Sequence, residues 1–178
     1  MGKNVLVISG SCRKGGNSDT LCDEFIKGAK EAGHDVEKIN LADKAIGYCR
    51  GCYACARTGH CFQKDDMEEI LDKMTNADVI LMATPVYFYA MCGQMKTLID
   101  RTVPRYMKMK DKDLYFIMTA AETNPKNLER TMEEFRGFMD CYEGFQEKGS
   151  IYAVGVYERG EINGTKFINE AYEMGKNI

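Results

Sequence analysis

Five short apolar runs alternate along the chain with stretches patterned at helical spacing, and this alternation restricts the fold more than any other feature. The runs are Val5-Leu6-Val7-Ile8, Val36 to Leu41, Ala77 to Ala83, Leu114 to Thr119 and Ile151 to Val156. Strands buried on both faces read as continuous apolar stretches, whereas strands with one wet face alternate. Val36 to Leu41 alternates and is the weaker strand. Between the runs, Leu21, Phe25, Ile26 and Ala29 recur at helical intervals, as do Met67, Ile70, Leu71 and Met74 after Asp65-Asp66. Cys92 to Val103, Asn127 to Tyr142 and Thr165 to Met174 complete the series. Asn17 or Ser18 is the expected N-cap of the first helix, and Gly33 its stop. Strict alternation predicts an α/β protein with a parallel sheet covered on both faces, and five strands predict the order 2-1-3-4-5. No repeat, low-complexity tract or linker divides the chain, so one domain is expected over 1–178, with an irregular cysteine-bearing insert at about 47–63.

Composition removes several function classes. Of the 178 residues, 44% are hydrophobic and 29% charged, an ordinary globular balance. A formal charge of −3 is too small to draw nucleic acid by electrostatics. No apolar run approaches the roughly 20 residues of a membrane helix. Met1-Gly2-Lys3-Asn4 passes directly into Val5 without the apolar segment of a secretory signal, so a cytoplasmic chain is expected.

The segment Ser9-Gly10-Ser11-Cys12-Arg13-Lys14-Gly15-Gly16-Asn17-Ser18 joins the first strand to the first helix. In open α/β sheets ligands sit beyond the carboxyl ends of the strands, where strand order reverses. This loop falls at that point. Ser11 and Ser18 offer hydroxyls, Arg13 a charged fork, Gly15-Gly16 close backbone approach, and the helix start free N–H groups. That set suits a phosphate; an ordinary strand-to-helix turn is the other reading. No Gly-Lys-Ser/Thr triplet makes it a Walker loop, and Gly10, Gly15 and Gly16 do not fit Gly-x-Gly-x-x-Gly. Thr84-Pro85-Val86-Tyr87-Phe88 follows the third strand to the same edge, as an aromatic loop that lines the crevice or covers the core. Thr119-Ala120-Ala121 follows the fourth.

Gly10-Ser11-Cys12-Arg13-x-x-x-Asn17-Ser18 resembles the Gly-Ser-x-Arg-x-x-x-Asn-Ser/Thr loop of the NAD(P)H-dependent FMN reductases and iron–sulfur flavoproteins, with Cys12 where proline is usual. It differs from the Thr-x-Thr-Gly-x-Thr loop of small electron-carrier flavodoxins. The similarity continues through Asp65-Asp66-Met67, Ala77-Asp78, Thr84 to Phe88, and Gly93-Gln94-Met95-Lys96 to Asp100-Arg101, over roughly Lys3 to Thr119. It implies a flavodoxin-like three-layer sandwich that holds FMN. Ser9, Ser11, Cys12, Arg13, Asn17 and Ser18 would meet the phosphate side, Thr84, Pro85, Val86, Tyr87 and Phe88 the isoalloxazine, and Thr119, Ala120 and Ala121 a third contact. A Lys96–Asp100 pair and Arg101 read as structural or interfacial.

Four of the eight cysteines fall in Cys49-x2-Cys52-x2-Cys55-x5-Cys61. Thiolates at this spacing hold an iron–sulfur cluster or zinc, or serve as free or reversibly oxidised thiols. The resemblance implies a [4Fe–4S] cluster. It further implies an oxidoreductase that carries electrons from NAD(P)H through FMN to a small-molecule acceptor. The alternative is one-electron transfer with a protein partner such as ferredoxin. A homodimer or homotetramer is expected in either case. No protein acid or base is required, because hydride chemistry belongs to the flavin.

Overall fold

The computed structural model describes residues 2–178. Its strands are β1 (Asn4–Ser9), β2 (Asp35–Asn40), β3 (Val79–Tyr87), β4 (Ala90–Met91), β5 (Asp113–Thr119) and β6 (Gln146–Ala153). Its α-helices are α1 (Asn17–Glu31), α2 (Ala54–Thr58), α3 (Met67–Asn76), α4 (Gly93–Asp100), α5 (Glu129–Met139) and α6 (Lys166–Lys176). The long strands run parallel in the order β2-β1-β3-β5-β6, with Val5 opposite Val36 and Val79, Ile80 opposite Leu114, and Ile117 opposite Ile151. That is the expected order for five strands; the sixth, β4, pairs antiparallel with the end of β3.

Successive strand side chains point to opposite faces, and both faces are buried here. Leu6, Ile8, Ile80, Met82 and Phe116 pack under α3, α4 and α5, where Phe116 stacks on Phe135 with ring centroids 4.7 Å apart. Truncating such a ring to alanine costs about 3–5 kcal/mol. Val5, Val7, Val79, Leu81 and Ile117 pack under α1 and α6 through Leu21, Phe25 and Phe167. These two helices touch along their backbones. A Cβ at Gly175 would lie 2.0 Å from the Phe25 carbonyl oxygen, so the contact requires glycine.

Three boundaries differ from the sequence pattern. Thr84 to Ala90, expected as a loop, continues β3 through Tyr87, because Thr84 and Pro85 still pair with Met118 and Thr119 before the chain folds back as a hairpin. β6 starts at Gln146, five positions before the apolar run, because its polar first half is an edge strand paired on one side with β5. The N-cap of α1 is Gly16, with no side-chain cap, since the Asn17 side chain is engaged elsewhere. Among the described residues, no helix is long and apolar enough to cross a membrane.

Candidate functional site

A pocket of about 150 Å³ opens at the carboxyl edge of the sheet and is lined from four segments, at the ends of β1, β3, β5 and β6. The loop after β1 contributes Ser11, Arg13, Gly16, Asn17 and Ser18. Its fold is held internally: Ser11 Oγ donates to the Arg13 carbonyl at 2.9 Å, and the Gly15 N–H donates to Asp19 Oδ2 at 2.8 Å. Burial pushes the Asp19 carboxyl up, but Lys38, 2.7 Å away, and the Gly15 N–H bring it below its ordinary value. Gly16 is required sterically, since a Cβ there would stand 2.9 Å from the Arg13 carbonyl oxygen. The first N–H groups of α1 therefore open into the pocket uncapped, at the positive end of a 15-residue helix. With the Ser18 hydroxyl and the Arg13 guanidinium beside them, these donors fit a phosphate dianion.

Pro85, Val86 and Tyr87 form the second wall, and Thr119 and Ala121 the third. Thr84 is fully buried and knits the hairpin, its Oγ1 accepting from the Cys92 N–H at 2.9 Å. Phe88 stands at the hairpin tip, wholly exposed, and both Phe88 (φ 52°) and Tyr89 (φ 61°) occupy the left-handed region. Such backbone costs about 1–3 kcal/mol per residue and concentrates at functional sites. Tyr89 is fastened by its hydroxyl to Glu122 Oε2 at 3.0 Å. Ser9 and Ala120 are buried behind the pocket, and Cys12 is exposed outside it, facing Gln94 Nε2 at 2.9 Å. Of the residues expected around a ligand, these three, Thr84 and Phe88 do not line the pocket.

The fourth wall, Val156, Tyr157 and Arg159 in the loop after β6, was missed by the motif reading. The rule that placed the other loops at the carboxyl edge applies equally to the last strand and would have found it. Arg159 Nε donates to the Gly15 carbonyl at 3.2 Å, so a second guanidinium stands at the phosphate loop. Asn17 holds this wall in place: its Nδ2 donates to the Glu158 carbonyl, and its Oδ1 accepts from the Gly160 and Ile162 N–H groups.

The cysteine insert forms a second cavity, of about 230 Å³, lined by Cys49, Cys52, Cys55 and Cys61 together with Tyr53, Phe62, Arg101 and Pro104. All four thiols are free. Burial pushes the Cys55 thiol up, and the other three cysteines add to the shift, which reflects their proximity. Among the described residues no three His, Cys, Asp or Glu side chains converge as they would on one ion. The four cysteines line one shared cavity, and as thiolates they form a donor set of the kind that holds an iron–sulfur cluster or zinc. Tyr53, at φ 57°, is the N-cap residue of α2 within this wall. His60, adjoining Cys61, is engaged by Glu68 Oε1 at 2.7 Å.

Two buried arginines at the end of α4 and just beyond hold the insert. Arg101 makes paired bonds to Asp65 and a third to the Gly47 carbonyl, clasping both ends of the segment. Arg105 donates to the Gly59 carbonyl and to Glu68 and Asp72. Burial disfavours the Arg101 charge, but Asp65, with Cys61 contributing, more than offsets it and raises its pKa.

Comparison with known proteins agrees with this architecture. The chain is 41% identical to an iron-sulfur flavoprotein of Archaeoglobus fulgidus, across 96% of this chain and 76% of that one. It is 44% identical over 100 residues to an iron-sulfur flavoprotein of Methanocaldococcus jannaschii, covering 56% of this chain and about half (52%) of the relative. Among solved structures, an azoreductase of Bacillus anthracis superposes with a TM-score of 0.77 at 17% identity, covering 99% of this chain and 100% of that one. A flavone reductase does so with 0.75 at 23%, covering 98% and 61%. These two likenesses speak for the shared flavodoxin-like fold. A sequence model described as NADPH-dependent FMN reductase matches residues 3–140, and the chain belongs to that family of flavin oxidoreductases.

Proposed function

We propose that this chain is an FMN-dependent oxidoreductase that takes electrons from NAD(P)H and delivers them to a small-molecule acceptor. The observation that carries the reading is the pocket at the carboxyl edge. There an uncapped helix start, Arg13 and Ser18 face an apolar wall of Pro85, Val86 and Tyr87. Bound FMN would supply hydride acceptance and electron release. The protein's part is to hold the phosphate with α1, Arg13 and Ser18, to place Tyr87 and Val86 along the ring, and to leave an open face for donor and acceptor. An assembly of two or four chains would cover the exposed hairpin aromatics.

The test is a titration with FMN and with riboflavin. An Arg13→Ala, Ser18→Ala double variant is expected to lose about 100-fold in FMN affinity, with riboflavin binding unchanged, since charged and neutral hydrogen bonds are both removed. Unchanged FMN affinity would overturn the phosphate assignment.

A second reading is favoured by the cysteine cavity and by the names of the iron-sulfur flavoprotein relatives. In it Cys49, Cys52, Cys55 and Cys61 hold a [4Fe–4S] cluster, and the chain exchanges single electrons with a protein such as ferredoxin. Anaerobic purification with iron and sulfide analysis separates the two. About four irons per chain supports the second reading, whereas iron-free protein that oxidises NAD(P)H rapidly removes it.

A further inference from the structure

Arg101 and Arg105 lie four positions apart and do similar work, yet they differ at one atom. Arg105 spends its Nε on Asp72 Oδ1 at 3.3 Å, its Nη1 on the Gly59 carbonyl and its Nη2 on Glu68 and Asp72. Arg101 commits Nη1 to Gly47 and Asp65 at 2.6 and 2.8 Å, and Nη2 to Asp65 at 3.0 Å. Among the described residues its Nε has no hydrogen-bond partner, on a side chain only 2% exposed. A buried donor left unpaired is costly and uncommon. Arg101 lines the four-cysteine cavity, whereas Arg105 does not, and Cys61 is the thiol that acts on the Arg101 charge.

We propose that Arg101 is a positioning residue for the cysteine cradle, its Nε–H reserved for the sulfur of Cys61 once the four cysteines bind an iron–sulfur cluster as thiolates. The inference rests on the second reading above. Asp65 fixes the plane of the guanidinium through two parallel bonds, so the remaining donor keeps a set direction that a lysine ammonium would lack. Asp65 balances one unit of charge, and the excess negative charge of a thiolate-bound cluster falls beside the same guanidinium. A donated hydrogen bond and a nearby cation stabilise the more reduced, more negative state, and so raise the reduction potential.

The test uses the full chain reconstituted anaerobically with ferrous iron and sulfide, followed by a redox titration read by paramagnetic resonance. Arg101→Lys should move the midpoint to more negative potential, Arg101→Gln should move it further, and Lys176→Gln, on α6 across the sheet, should leave it unchanged. Loaded Arg101 variants that titrate with the wild type would overturn the proposal while leaving the cluster reading intact. If those variants fold or load poorly, wild-type protein labelled with ¹⁵N-arginine decides the matter. Its reduced form should show nuclear hyperfine coupling to one arginine nitrogen, and absence of that coupling overturns the proposal. A wild-type chain that takes up no iron overturns the cluster reading itself, and this inference with it.

Discussion

The side chain of Asn17 reaches from the first turn of α1 to the loop after β6, where its Nδ2 donates to the carbonyl of Glu158 at 3.0 Å. One amide thus closes the pocket between the first and last strand-to-helix connections, with Gly160 and Ile162 donating back to its oxygen at 3.2 and 3.3 Å. Asn17→Ala leaves these groups unpaired in a largely buried place, and should cost about 1–3 kcal/mol in urea unfolding. FMN affinity should fall with it. Asn17→Asp keeps the two accepted bonds and sets a carboxylate against the Glu158 carbonyl. It should recover part of the stability while binding FMN more weakly than asparagine does.

Arg159 offers a cleaner separation of charge from scaffolding. It is exposed, and its Nε donates to the Gly15 carbonyl. Arg159→Ala should therefore leave the melting temperature within a degree or two and weaken FMN binding about tenfold. Riboflavin, lacking the phosphate, should bind the variant and the wild type equally. Equal losses for both ligands would mean that Arg159 acts on the ring side of the pocket.

Phe88 holds a left-handed backbone with its ring wholly in solvent. The two-residue turn between Tyr87 and Ala90 requires positive φ at this position, which glycine adopts without strain, so Phe88→Gly should stabilise the isolated chain by about 1 kcal/mol. In a chain that assembles through this hairpin, the same change should weaken the oligomer, readable by sedimentation. Stabilisation without any change in assembly or turnover would leave the aromatic tip without a role.

Glu122 links the hairpin to the loop after β5. Backbone N–H groups of Asn124 and Thr123, with Asn127 and the Tyr89 hydroxyl, lower its carboxyl to about 2. A depressed carboxylate stabilises fully above its ordinary value of 4.5; the contribution shrinks as pH falls from there and is gone below about 2. The stability difference between wild type and Glu122→Gln should accordingly be constant at neutral pH and shrink between pH 4.5 and 2. A carboxyl resonance of Glu122 titrating near 4.5 would contradict the geometry.

The sheet was legible because β1, β3 and β5 are buried on both faces and leave unbroken apolar runs, as Val79 to Met82 shows. The first half of β6 was not. Gln146, Glu147 and Lys148 carry no apolar signal, since edge strands show polar groups to water. Thr84 to Tyr87 misled for another reason. Proline and the turn after it read as loop chemistry, while pairing with β5 and β4 kept the segment extended. At the site, the loop motif led to Ser11, Arg13 and Ser18, yet Tyr157 and Arg159 carry no motif and enter through topology alone. The gathering of four cysteines was written in their spacing. The part of Arg101 was not, because its burial depends on Asp65, a residue 36 positions earlier.

From Thr84 to Arg105 the chain runs without an irregular break longer than a turn, through the β3–β4 hairpin, α4 and the two arginines that grip the insert. The wall of one cavity and the anchor of the other are thus carried on one continuous run of regular structure. A cut or insertion within that run should therefore disturb both cavities at once, readable as a joint loss of FMN affinity and of iron uptake.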